Sequence, residues 1–173
     1  MKKILLLLIL CFFVFSANVA FATSSYVLPY PSTMPGSIFY KIHLVQESVL
    51  RFWYFGNFGQ FFYNLKESDK YLVEAKTLFE YNQYLLGFSA LEKSNSYFKA
   101  CAPFLLKAQR EGKDISQNKL ILNQASQKHI EVLTDLVNRV PQTVNWTPEK
   151  SSSTQLELKK LIEESIAIRT KTL

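Results

Sequence analysis

The chain has little of what most specialised folds and chemistries need. Cysteine occurs twice in 173 residues, too few for a disulfide-stapled scaffold. Glycine occurs five times and proline six times, which excludes collagen-like and Gly/Pro low-complexity chains. Histidine also occurs only twice, so a metal centre would have to rest on His43, His129, Cys101 and carboxylates. Carboxylate-bridged di-iron bundles place Glu three residues before a ligand histidine. Tyr40 and Ser126 stand at those places here, so no metal and no cofactor is expected. A Gly-x-Ser-x-Gly elbow, a phosphate loop and a dinucleotide fingerprint are missing as well. Adjacent acids such as Glu163 and Glu164 point apart on a helix and suit solvation. The expectation is a protein that is not an enzyme.

What the chain does have is apolar mass. Hydrophobic residues make up 48% and charged residues 20%, a balance that excludes a disordered chain. The net charge is +6, but Lys and Arg are interleaved with acids. A polyanion groove needs clustered bases, so no nucleic-acid partner is expected.

The N-terminus reads as an address. Lys2 and Lys3 precede an unbroken apolar run, Ile4 to Phe15, and Ala20 and Ala22 supply the small residues before a cleavage site. Residues 1–22 are therefore expected to be a signal peptide, and the mature protein secreted or extracytoplasmic. The alternative is an N-terminal membrane anchor, because the uncharged stretch Ile4 to Ala22 is long enough to span a bilayer. Cleavage would leave 151 residues, lower the charge to +4 and leave Cys101 as the lone cysteine. Residues 23–36 (TSSYVLPYPSTMPG) hold three prolines and read as an extended leader.

From residue 37 onward the pattern is helical. Ser37 offers an N-cap, and Ile38, Ile42, Val45, Val49 and Phe52 form one apolar stripe to about Tyr54. Eight of the twelve residues from Phe52 to Tyr63 are aromatic, with Gly56 and Gly59 marking a turn. Phe58, Leu65, Leu72, Phe79 and Leu86 follow at heptad spacing, while Lys66, Glu67, Asp69, Lys70, Glu74 and Lys76 are placed on polar faces. Asn82 is expected to close that helix in the left-handed conformation. Leu91, Ser94, Phe98, Cys101, Leu105 and Ala108 mark the next helix, which Pro103 should kink near Lys99. Gly112 is a C-cap, and Asp114 with Gln117 resembles a capping box. Ile115, Leu122, Ala125, His129, Leu133, Leu136 and Val140 make a further stripe. Residues 142–153 read as irregular, Thr154 to Glu157 as a second capping box, and Leu158, Leu161, Ile162 and Ile166 as a last helix to about Thr170. No alternating run argues for a sheet. Residues 37–173 are thus expected to fold as an all-α, antiparallel bundle of four to five amphipathic helices that bury their stripes against one another.

Three segments carry a family resemblance: LPYPSTMPGSIFYKI (Leu28 to Ile42), VEAKTLFEYNQYLLGFSALEK (Val73 to Lys93) and KHIEVLTDLVNRVPQ (Lys128 to Gln142). With them the chain resembles domain-of-unknown-function family 5667, found in secreted and membrane-anchored bacterial envelope proteins. The resemblance spans about Leu28 to Ile168. It implies an envelope location and a helical fold, with no activity and no catalytic residues to carry over. Family-like sequences have Gly at Asn82, and the aromatic run and Pro103 are departures from them.

Two candidate sites follow. The aromatic run is too crowded to face inward entirely, so Trp53, Tyr54, Phe55 and Tyr63 are candidates to engage a protein of the envelope or a membrane surface. Phe98, Cys101 and His129 are the alternative. Small residues at Gly87, Ser94, Cys101 and Ala108 leave room there for a small apolar ligand, as in a sensory module. Cys101 otherwise reads as an inert core thiol, and His129 as a core histidine.

Overall fold

The structure is a computed structural model. It describes residues 26–31, 35, 38–148 and 152–172, apart from the side chains at 38, 41, 43, 44 and 48. The signal-peptide reading with its Ala20 and Ala22 site, most of the leader, the Ser37 cap and the His43 side chain lie outside the described residues.

Among the described residues there are five helices and one hairpin: α1 (Ile38–Trp53), α2 (Gly56–Glu80), α3 (Tyr84–Arg110), α4 (Ser116–Arg139), β1 (Thr143–Trp146), β2 (Thr154–Glu157) and α5 (Leu158–Thr170). The fold is an all-α bundle with a small appended hairpin. Helix ends follow from local chemistry. Asn82 takes a φ of 58° after α2. Its N–H donates to the Phe79 carbonyl at 3.0 Å, and the Gln83 N–H donates to the Leu78 carbonyl at 2.8 Å. Gly112, at φ 77°, closes α3 with the same paired bonds, to Gln109 at 2.9 Å and from Lys113 to Ala108 at 3.1 Å. Both are Schellman closures, which satisfy the last carbonyls of a helix through one left-handed residue. Before α4, Asp114 accepts from the backbone and hydroxyl of Ser116 rather than pairing with Gln117. α3 continues as a helix through Pro103.

Antiparallel packing of α2 on α3 follows from the short turn between them. Ser68 and Ser94, equally far from that turn, exchange bonds to each other's backbone carbonyls at 3.1 and 2.8 Å. Two serines allow that close approach where larger side chains would hold the helices apart. All of the expected α3 and α4 stripe residues are buried. So are Leu65, Leu72 and Phe79 of α2, whereas Leu86 begins α3 and is exposed.

Three expectations give way. First, residues 142–157 are not an irregular loop followed by a capping box. β1 and β2 pair antiparallel, with Val144 opposite Leu156, and only these two turn toward the bundle. Thr154 sits in a strand, and the first amides of α5 are taken instead by the Gln142 carbonyl, from Leu158 at 3.0 Å and Lys159 at 3.4 Å. Four-residue strands are too short for alternation to register as a pattern. Second, Gly56 makes the turn, at φ 70°, but Gly59 lies inside α2. Third, Gly87 does not leave room for a ligand, because the Phe79 ring fills the space where its Cβ would stand, at 2.9 Å. Gly87→Ala is therefore expected to cost about 1–3 kcal/mol through overpacking, seen as a lowered urea midpoint with an unchanged slope.

The apolar core is cut by a polar layer. One cluster holds Leu72, Phe79, Leu91, Leu133, Leu136 and Ile162; the other holds Phe61, Leu65, Phe98, Cys101, Leu105 and Leu122. Between them, on every helix from α2 to α5, lie buried polar residues: Ser68 and Asp69, Ser94 and Asn95, Ser126 and His129, Ser165 and Arg169.

Candidate functional site

α1 is mounted with its apolar side outward. Ile42, Val45, Val49 and Phe52 follow the spacing of a and d positions, and all are 59–77% exposed. This corrects the expectation that the stripe is buried. The opposite line, Tyr40, Glu47 and Tyr54, faces α2 and explains the orientation. The Tyr40 hydroxyl donates to Glu74 at 3.2 Å, and the Tyr71 hydroxyl donates to Glu47 at 2.9 Å. Glu47 also pairs with Lys70, and the Tyr54 and Tyr63 rings lie 5.6 Å apart. At the end of α1, Gln60 donates to the carbonyls of Tyr54 and Arg51 at 2.7 and 3.1 Å. The seam is polar, and its cost shows in two carboxyls. Glu67 and Glu74 are buried on α2, where desolvation raises both above the ordinary carboxylate range. They were expected on a solvated face. α2 is instead enclosed by α1 on one side and by the rest of the bundle on the other.

The aromatic run divides accordingly. Trp53 (76%) and Phe55 (82%) stand in solvent, as their candidacy requires. Tyr54 is half-buried against Tyr63. Tyr63 is a correction: it is 3% exposed, its hydroxyl reaches the Glu47 carbonyl at 3.3 Å, and its ring meets Tyr97 edge-on. Ile42, Val45, Val49, Phe52, Trp53 and Phe55 together expose apolar area on the order of 800 Å², beyond the ~300–600 Å² of the largest patch on a typical monomer.

The second candidate trio, Phe98, Cys101 and His129, is buried together, with the Phe98 and His129 rings 5.3 Å apart. The space beside them is occupied by the chain itself. Arg169, fully buried, lies with its guanidinium 4.9 Å from the Phe98 ring centre. It donates from Nε to His129 Nδ1 at 3.0 Å and from Nη1 to Asn95 Oδ1 at 2.7 Å and the Ser165 carbonyl at 3.0 Å. Nη2 donates to Ser94 Oγ at 2.9 Å. An arginine Nε can only donate, so Nδ1 of His129 is the acceptor and the ring proton sits on Nε2. Nε2 in turn donates to Asp69 Oδ1 at 2.7 Å, and Tyr26 of the leader donates to Asp69 Oδ2 at 2.5 Å. The result is a buried Tyr–Asp–His–Arg chain in which a neutral imidazole bridges an acid and a base. Burial, with Arg169 adding to it, pulls His129 below its usual value, although the Asp69 bond opposes this. Arg169 is pulled down by burial to about 9 and stays a cation at neutral pH. Burial pushes the Cys101 thiol up, away from the thiolate a nucleophile needs.

The sequence reading missed Asp69 and Arg169. Asp69 stood among solvated charges. Arg169 extends the α5 stripe Leu158–Leu161–Ile162–Ser165 by one more step of four, a phase that following Ile166 instead had hidden. A cleft of about 380 Å³ lies elsewhere, between the α2–α3 turn and the hairpin, lined by Tyr84, Leu85, Val144 and Trp146 among others. Among the described residues no three His, Cys, Asp or Glu side chains gather as a metal site, and no helix is long and apolar enough to cross a membrane. In comparisons with known proteins, the chain matches no family model, no curated protein and no solved structure.

Proposed function

We propose that the chain is an exported, non-enzymatic binding module that works at the cell envelope through the outward face of α1, against a protein or a membrane surface. One observation carries this reading: α1 buries a polar seam and exposes its apolar side. A helix held only for stability would bury the apolar side, at a gain of about 1.5–3 kcal/mol for each large side chain. The signal-like N-terminus supports export, and the filled polar layer offers no substrate a way in.

A photoreactive residue in place of Val45, on the full chain in its native envelope, tests this. Adducts with protein or lipid are expected from Val45 and not from Lys119, an exposed position on α4. Equal labelling at both positions, or none at Val45, would remove α1 as the working surface.

A further inference from the structure

We infer that the surface α1 takes is an anionic lipid bilayer, with Phe52, Trp53 and Phe55 entering its headgroup region. This rests on the reading of α1 as the working face and names its occupant. Four observations select lipid.

The first is width. Two-stranded coiled coils use a narrow a/d seam. Here Trp53 broadens the line of Ile42, Val45, Val49 and Phe52, and Phe55 extends it past the helix end. A face this broad fits a flat apolar boundary better than a single partner helix. The second is the clustering of exposed aromatic rings at one end. An indole suits the interface because its ring is apolar while its N–H reaches water.

The third is charge. Arg51 in the last turn of α1 and Lys66 on α2 are exposed, whereas Glu47, the one acid of α1, is turned inward to Lys70 and Tyr71. The outward face itself thus shows no carboxylate, and Arg51, one turn past Glu47 on the flank of the helix, is a base at the margin of the apolar face, the arrangement that suits anionic headgroups. The fourth is position in the chain. The stretch Ile4 to Ala22 carries no charge, and fifteen residues separate it from Ile38. Fifteen residues span at most ~50 Å when extended. If that stretch is kept in a bilayer, α1 is confined close to its surface.

Trp53 provides the readout. The chain has two tryptophans, so Trp146→Phe leaves Trp53 as the sole emitter. The full chain carrying that change would be mixed with vesicles of phosphatidylglycerol and phosphatidylcholine brominated in the acyl chains. Trp53 emission is expected to shift to the blue and be quenched, and to respond far less to phosphatidylcholine alone. Adding Ile42→Asp and Val49→Asp should lower the vesicle response about tenfold or more while far-UV circular dichroism stays the same. Two results overturn the inference. One is Trp53 emission indifferent to anionic vesicles. The other is emission already blue-shifted without lipid together with a dimer in sedimentation, which would give the face to a second copy. Protein adducts from Val45 beside an indifferent Trp53 would sink the lipid assignment and leave the α1 reading standing. Neither signal would sink both.

Discussion

Replacing Arg169 by methionine is expected to destabilise the fold by about 3–5 kcal/mol, the range for removing one member of a buried charged hydrogen-bond network. The guanidinium makes four hydrogen bonds that reach α3, α4 and its own helix. Methionine keeps much of the stem's volume and none of the donors. It strands the acceptors of His129, Asn95 and Ser94 inside the core and leaves the Asp69 carboxylate facing no cation across the imidazole. Each unsatisfied buried acceptor costs about 1–3 kcal/mol. Urea unfolding should show a lowered midpoint with the slope unchanged. Packing alone would give a smaller loss, and one that does not depend on Asp69. The double substitution Asp69→Asn with Arg169→Met separates the two: the charge-pair account expects it to cost less than the sum of the singles, with a coupling of about 1–3 kcal/mol. Strict additivity would reject that account.

The same layer constrains how the helices slide. On α2 the order along the chain is second cluster, polar residues, first cluster; on α3 it reverses, and on α4 it reverses again. Alternating helix direction thus brings the polar residues of each helix to one level. A shift of any helix by one turn would place leucines against the guanidinium and leave donors unpaired. Uniform leucine packing would tolerate that shift far better. Buried polar residues in helical assemblies are known to select register in this way, at some cost in stability. Tyr26 brings the leader into the same arrangement, since its hydroxyl completes the Asp69 carboxylate.

How much of this the sequence reveals depends on whether a residue's role is local. Helix ends at Asn82 and Gly112 were legible because one left-handed residue and two backbone bonds define them. The α3 and α4 stripes were legible because their faces are buried on one side only, so period and burial agree. α2 was misread because it is central: Glu67, Asp69 and Glu74 are buried by partners distant in sequence, which periodicity does not register. α1 was misread for the opposite reason. Its stripe has the spacing of a packed face, but Tyr40, Glu47 and Tyr54 hold that face outward. The polar layer left a trace, since Ser94 and His129 both fall on apolar stripes. Only the pairing of those two interruptions with Asp69 and Arg169 needed the fold.

Acid should expose the role of His129. Its folded value lies below the ordinary 6.5, chiefly through desolvation and secondarily through Arg169, while Asp69 pulls the other way. The unfolded chain therefore takes up the proton first as pH falls, and the stability that depends on a neutral imidazole is present above about pH 6.5. It is lost as pH falls from there through the lower folded value, at a slope approaching about 1.4 kcal/mol per pH unit for one proton. Geometry gives the same sign. Nδ1 cannot be protonated without losing the Arg169 bond and setting two cations face to face. Glu67 and Glu74 act in the opposite sense: their folded values are raised, so their contribution is present at low pH and lost as pH rises through those values. His129→Gln separates the terms. A glutamine carbonyl can accept from Arg169 and its amide can donate to Asp69, while neither titrates. Urea unfolding of both proteins from pH 8 to pH 5 should show the native chain losing stability relative to the variant below about pH 6.5. Above that pH the difference between them should stay constant, because Glu67 and Glu74 are common to both. Parallel curves throughout would mean that the folded and unfolded imidazoles take up the proton alike, against the account given; a native chain that instead gains stability on the variant as pH falls from 8 toward 6.5 would mean that the folded imidazole already carries its proton. The Tyr26–Asp69–His129–Arg169 chain would then have to be redrawn with Arg169 turned away from Nδ1.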